Sequence, residues 1–192
     1  MMRSLLLALY SALTLGLFAP DARAADNFAV DPIHSFISFK VKHLNVSSAH
    51  GRFNSFQGEI TIDPANPAAS KLSISINPDS IDTANPARDR HLKGPDFFDA
   101  KRHSTIVYQS KSMKKVGDNE WEIEGELTLH GVTKPLTTKV TSTGPVNNPR
   151  GGQILGLETS FQFKRSEFGM TNMVGMIGDE VKIDANIEAI KR

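Results

Sequence analysis

The residues with most chemistry to offer are six histidines, His34, His43, His50, His91, His103 and His130. Metal ligation needs such groups to converge, and the chain has neither an H-x-x-x-H helical pair nor a cysteine to bring that about. Their spacing predicts no metal site. No G-x-S-x-G nucleophile elbow is present. Most Asp and Glu alternate with apolar residues, as on a solvated strand face. The exception is Ser80–Asp99, where Arg88, Asp89 and His91 stand beside Phe97 and Phe98, flanked by Asp96 and Asp99. Two readings compete there. In one, Asp89 caps the segment, Arg88 pairs with a nearby carboxylate and the aromatics close one end of the fold. In the other, the charged residues form a gate for a ligand's head group while the aromatics grip its tail. Met170 and Met173 mark a second candidate rim, because methionine adapts to irregular apolar ligands. Packing of that loop on the outside is the alternative.

The elements that must position these residues read almost entirely as strands. Ile37, Phe39 and Val41 alternate with Ser38, Lys40 and Lys42 after a short lead, Asn27–Val30. Gly51–Asp63 reads as one further strand, and Leu72, Ile74 and Ile76 as another. Trp121, Ile123, Gly125, Leu127 and Leu129 oppose four glutamates, Glu120, Glu122, Glu124 and Glu126. Leu136–Val140, Leu155–Phe163 and Val181–Ala189 repeat the pattern, with loops expected over 144–152 and 165–179. Ser80–Asp99 departs from it: Asn85-Pro86 starts a short helix and Gly94-Pro95 stops it. About eight strands, each with one wet face and no helix long enough to cover a sheet, leave a closed antiparallel barrel or a two-sheet sandwich. Closure removes both exposed edges, so the barrel is favoured. Small interior residues (Gly58, Gly125, Thr138, Thr159, Ala185, Ala189) lean towards a hollow interior. The tunnel lining then falls to Ile37, Phe39, Val41, Ile74, Ile76, Trp121, Ile123, Leu127, Phe161, Phe163 and Ile183. The mouth falls to Arg88, His91, Phe97, Phe98, Met170 and Met173.

The chain has 192 residues. Residues 1–24 read as a signal peptide: Arg3, an apolar run from Leu5 to Phe18, and Ala22-Arg23-Ala24 as the cleavage site. The run is shorter than the ~20 residues that span a bilayer, so no stable membrane anchor is expected. Residues 25–192 fit one domain. The chain holds 22 basic and 21 acidic residues, and Arg3, Arg23 and Asp21 lie in the first 24, so the remainder balances. A balanced charge argues against nucleic acid as a partner. An exported, cysteine-free domain relies on its core, and the periplasm is the expected destination.

Several motifs occur together in one order: Val30-Asp31-Pro32-Ile33-His34-Ser35, Val41-Lys42-His43-Leu44, Gly51-Arg52-Phe53, and Arg88-Asp89-Arg90-His91-Leu92. Asp96-Phe97-Phe98-Asp99, Gly131-Val132-Thr133-Lys134-Pro135, Arg165–Gly169 and Gly178-Asp179-Glu180-Val181 follow. In this order they resemble the YceI family of periplasmic polyisoprenoid-binding proteins. The resemblance implies an extended, eight-stranded, lipocalin-like antiparallel barrel with a short helical connection. It also implies an apolar tunnel for a long isoprenoid, such as a quinone or polyprenyl phosphate, or for another long-chain amphiphile, and it does not imply catalysis. Where the family usually has an aromatic residue and Pro, this chain has His103-Ser104.

The leading expectation is a non-catalytic lipid carrier that needs no cofactor. Transient contact with a membrane or membrane enzyme, and pairing of two copies as a homodimer to complete a tunnel, are options the sequence leaves open. A competing enzyme would act on a bound lipid through His91 with Asp89 or Asp96, with these groups converging on one ligand atom. A stress-response partner protein would have a solid barrel.

Overall fold

The computed structural model describes residues 25–192; the signal-peptide reading lies outside them. The strands are β1 (Asp26–Val30), β2 (Phe36–His43), β3 (Ser47–Phe53), β4 (Phe56–Ile62), β5 (Lys71–Ile76) and β6 (Ile81–Asp82). After helix α1 (Pro86–Lys93) come β7 (Ile106–Lys115), β8 (Glu120–Leu129), β9 (Val132–Asn147), β10 (Gln153–Lys164) and β11 (Ile177–Lys191). Among the described residues every pairing between these strands is antiparallel. The ring β1-β4-β5-β7-β8-β9-β10-β11 closes where β1 meets β11. This is the expected eight-stranded barrel, with the short helix where Asn85-Pro86 places it.

Two barrel strands are broken, which alternation did not reveal. Asn27–Val30 is not a lead but part of β1, and β1 and β2 lie end to end along β11. Ala189 faces Val30, whereas Ala185 faces Ile37. The break at 31–35 carries its own bonds: the Ser35 hydroxyl donates to the Asp31 carbonyl (2.6 Å) and accepts the Glu188 amide (2.9 Å). Gly51–Asp63 likewise divides into β3 and β4 at Asn54-Ser55. There the Asn54 amide donates to the Ser80 carbonyl (3.1 Å) and the Ser55 amide to the Ser80 hydroxyl (2.9 Å). Each piece alternates within itself, but the phase slips at both breaks: Phe28 and Val30 face inward before the first and Ile37 and Phe39 after it, Phe53 before the second and Phe56 and Ile60 after it. The 144–152 loop is shorter than expected, since β9 continues to Asn147, and β11 begins two residues before Asp179.

The breaks divide the barrel into a base and a mouth. At the base all eight strands pair round the ring, and Phe28, Ile60, Ile123 and Ala189 are almost wholly excluded from solvent. At the mouth the wall continues as β2, β3 and the two-residue β6, which pairs with β3 at Arg52 and Phe53. The gap beyond β6 is spanned by α1 and the chain after it. Asn85 caps α1, its Oδ1 accepting the Ala87 (3.1 Å) and Arg88 (3.0 Å) amides, and Pro86 supplies a preset φ at the first turn. Gly94 ends it, its amide donating to the His91 carbonyl (3.0 Å).

Candidate functional site

An apolar cavity of ≈ 680 Å³ opens at the mouth and runs down the barrel. Of the expected lining residues, Ile37, Phe39, Val41, Ile74, Ile76, Leu127, Phe161, Phe163 and Ile183 border it. Trp121 and Ile123 do not. They point inward as alternation predicts, but they begin β8 at the base and border a separate pocket of ≈ 170 Å³ with Phe28, Met113 and Leu155. Alternation decides in against out and carries no information about height. Arg88, His91, Phe97, Phe98, Met170 and Met173 all border the large cavity.

The small interior residues also divide, by whether a neighbour fills their room. A Cβ at Gly58 would meet Ile74 Cδ1 at 2.5 Å, and one at Gly125 would meet the Tyr108 hydroxyl at 2.8 Å. Neighbouring side chains have taken that room. Thr138, Thr159 and Ala185 instead face the cavity and leave it open. The expectation of a solid barrel fails in the mouth half.

The polar groups deep in the wall, Tyr108, Thr138 and Thr159, are already partnered. Tyr108 donates from its hydroxyl towards the Ile123 (3.2 Å) and Leu136 (3.3 Å) carbonyls, and burial pushes its pKa up to about 12. The Thr138 and Thr159 hydroxyls pair at 2.7 Å, and Thr159 donates to the Lys139 carbonyl (2.8 Å). Among the described residues no buried side-chain nitrogen or oxygen lacks a partner. The deep cavity therefore asks for no polar guest, and an apolar chain can enter it without stranding a wall group.

The Ser80–Asp99 segment follows neither simple reading. Asn85, not Asp89, is the cap. Asp89 Oδ1 accepts the Thr83 amide (2.9 Å) and hydroxyl (2.5 Å), fixing the turn that enters α1. Arg88 pairs with no carboxylate: its Nε donates to the Thr83 hydroxyl (2.8 Å) and its Nη2 to the Thr83 carbonyl (2.7 Å). His91 meets Asp96 at 3.1 Å, with both side chains about half exposed. Asp89 and His91 thus have different partners; of the two pairings the enzyme reading allowed, the structure forms His91 with Asp96, and Asp96 does not border the cavity. Phe97 is buried edge-on to His91, and Phe98 packs edge-on to Phe53.

Sequence reasoning missed Arg165, which is buried at the cavity wall. Its guanidinium donates to the Gly178 (2.9 Å), Met170 (2.8 Å), Asn172 (2.8 Å) and Ile177 (3.1 Å) carbonyls. One side chain therefore ties down the whole second rim, including both candidate methionines' surroundings. Burial lowers its pKa, with Asp179 opposing. The RSEFG motif was the available signal, although an isolated arginine in a loop does not disclose its bonds. The cavity lining also holds Lys42, His43 and His50 and, among the described residues, no carboxylate.

A closed antiparallel barrel with one short helix and an internal apolar cavity is a lipocalin-like fold. The YceI-like domain family model matches residues 28–189, and the chain belongs to that family. A UPF0312 protein of Pseudomonas paraeruginosa is 39% identical over 186 residues, covering 95% of this chain and 97% of the relative. Another from Yersinia pestis is 37% identical over 183 residues, covering 93% and 95%. Among solved structures, Burkholderia cenocepacia BcnA superposes with a TM-score of 0.75 at 24% identity, over 83% of this chain and 98% of BcnA. The Campylobacter jejuni YCEI protein gives 0.69 at 29% identity, over 79% and 90%. A polyisoprenoid binding domain from Saccharophagus degradans gives 0.70 at 14% identity, over 86% and 98%.

Proposed function

We propose that this protein is a non-catalytic periplasmic carrier that holds the tail of a long isoprenoid or similar amphiphile in the barrel and its anionic head group at the mouth. The observation that carries this reading is the ≈ 680 Å³ apolar cavity whose lining includes Lys42, Arg88 and Arg165 but, among the described residues, no Asp or Glu. The shared fold with a domain described as polyisoprenoid-binding is consistent with it.

Size and charge narrow the ligand. At about 30 Å³ per non-hydrogen atom, the share of a liquid water, the cavity encloses roughly 20 such atoms, or about four prenyl units. Longer chains leave part of the tail or the head outside. Burial of the enclosed tail contributes about 25 cal/mol per Å² of apolar surface, offset by the cost of ordering it. Lys42 and Arg88 in a lining without carboxylates favour a phosphate or carboxylate head over a neutral quinone.

The test is mass spectrometry of an organic extract of the purified protein, followed by competition among a polyprenyl phosphate, the matching polyprenol and a quinone of equal tail length. Stoichiometric lipid and preference for the phosphate, reduced by Lys42→Gln with Arg88→Gln, are expected. An empty extract with no uptake of any of the three would overturn the carrier reading. Equal affinity for all three would remove the anionic head group. Trp121 is a poor reporter for this purpose, since it borders the base pocket.

A further inference from the structure

Outside the cavity lining, the fold gathers three groups that the sequence separates widely. Asp99 and His103 follow α1, and His130 sits in the turn between β8 and β9. Each offers one ligand atom, and these atoms lie within 4.8 Å of one another. The two imidazole rings are 4.6 Å apart at their centroids, inclined at 57°. Six dispersed histidines predicted no metal cluster; topology supplies the convergence that spacing could not show.

The surroundings hold these groups in place. His130 Nδ1 lies 3.0 Å from the Phe168 carbonyl. A carbonyl only accepts, so Nδ1 carries the proton and Nε2 keeps the lone pair, the arrangement that backbone carbonyls impose on metal-binding histidines. The His103 ring lies against the α-carbon of Gly131, whose φ is +75°, and a Cβ there would come within 2.7 Å of the ring. The Asp99 carbonyl accepts the His103 amide at 2.9 Å, fixing the separation of the first two groups. Asp99 and His130 both adopt left-handed backbone, uncommon for residues other than glycine. Asp99 is buried, and its charged neighbour is Arg102 Nη1 at 3.4 Å, on a side chain that is 79% exposed and free to swing away.

We propose that Asp99, His103 and His130 bind a divalent transition-metal ion of the zinc class. Two imidazoles and a carboxylate are the ligand types such ions take, and three protein ligands leave a fourth position for water. Bonds of about 2.0–2.1 Å to a tetrahedral ion set ligand atoms roughly 3.4 Å apart, so the three side chains close by about an ångström. The ion would cross-link the chain after α1 to the β8–β9 turn. None of the three residues borders the large cavity, so the proposal stands independently of lipid binding.

A second group, Asp31, His34 and Glu188, has a similar make-up, but His34 Nδ1 is already bonded to Asp31 at 2.8 Å and its side chain is more than half exposed. It serves as the control.

The experiment is calorimetric titration of zinc into untagged, chelator-treated protein at about pH 7.5 and about pH 5.5, with thermal melting alongside. One saturable site per chain, a higher melting temperature with zinc, and loss of both at the lower pH are expected. His103→Phe and the isosteric Asp99→Asn should abolish the site while the zinc-free melting transition remains, and His34→Ala should leave it intact. No saturable binding would overturn the proposal. So would binding that survives both substitutions or is lost in His34→Ala. If His103→Phe fails to fold, Asp99→Asn alone decides.

Discussion

At the base of the barrel Phe28, Ile60 and Ile123 are fully buried, and the pocket left beside them is ≈ 170 Å³. At the mouth Phe39, Leu136 and Ile183 face ≈ 680 Å³. The same in-out alternation builds both. The difference lies in how the ring is completed, and the cavity's own extent in what occupies the small positions. At Gly58 and Gly125 a neighbour's side chain moves in, whereas Thr138, Thr159 and Ala185 leave their room unclaimed. At the base eight strands complete the circumference; at the mouth a helix and its following segment do so. A hollow barrel thus needs a solid section to supply the cohesion that its cavity cannot.

The sharpest test of that division is one substitution made twice. Ile123→Ala at the base should destabilise by about 4 kcal/mol, because close packing prevents the void from collapsing. Ile183→Ala on the cavity wall should cost about 1 kcal/mol in lipid-free protein, since that side chain already borders open space. Urea denaturation reads both, and equal losses would erase the distinction. Arg165→Met should cost about 3 kcal/mol by leaving four carbonyls without their donor. Hydrogen exchange should rise first over 170–178, with the base protected, and uniform loss of protection would show that the halves unfold together. Gly125→Ala should cost about 2 kcal/mol by overpacking against the Gln109 carbonyl and Tyr108. It should also displace Tyr108 and reduce lipid capacity.

The two smallest effects are pH-dependent. The folded-state pKa of Tyr108, about 12, lies above its ordinary value of 10.0. Its contribution to stability is therefore complete below pH 10 and lost as pH rises through about 12. Tyrosinate absorbance of a chain spanning 25–192, in which Tyr108 is the single tyrosine, should show a midpoint near 12. At the break between β1 and β2, hydrogen bonding and charge attraction from Asp31 raise the His34 pKa above 6.5, while the His34 bond lowers that of Asp31 below 3.8. The His34 contribution is present below pH 6.5 and lost as pH rises past its raised value. The Asp31 contribution is present above pH 3.8 and lost as pH falls. An NMR titration should place His34 above 6.5, and Asp31→Asn should return it towards that value.

The barrel itself was legible because strand faces are set locally. Nine of the inward residues read from alternation do border the cavity, and Asn85-Pro86 started the helix where turn chemistry said it would. What could not be read depends on position along the barrel axis or on partners distant in sequence. Trp121 and Ile123 were placed on the correct face at the wrong height. The division of β1 from β2 rests on Ser35 meeting Glu188, a partner 153 residues away. The junction of Asp99 and His103 with His130 likewise exists only once β7 and β8 have paired.

The seam between β1 and β11 joins the two ends of the domain. The Arg192 amide donates to the Asn27 carbonyl at 2.9 Å, and Lys191 Nζ reaches Asp26 at 2.6 Å. Among the described residues no other strand contact spans so much chain, so its entropy of loop closure is the largest of any strand pairing there. The ring closes only through this pairing, and the seam is expected to zip last. A circular permutant linking residue 192 to residue 26 and cut within 148–152 would make that pairing local. It should fold faster while every cavity wall residue stays the same.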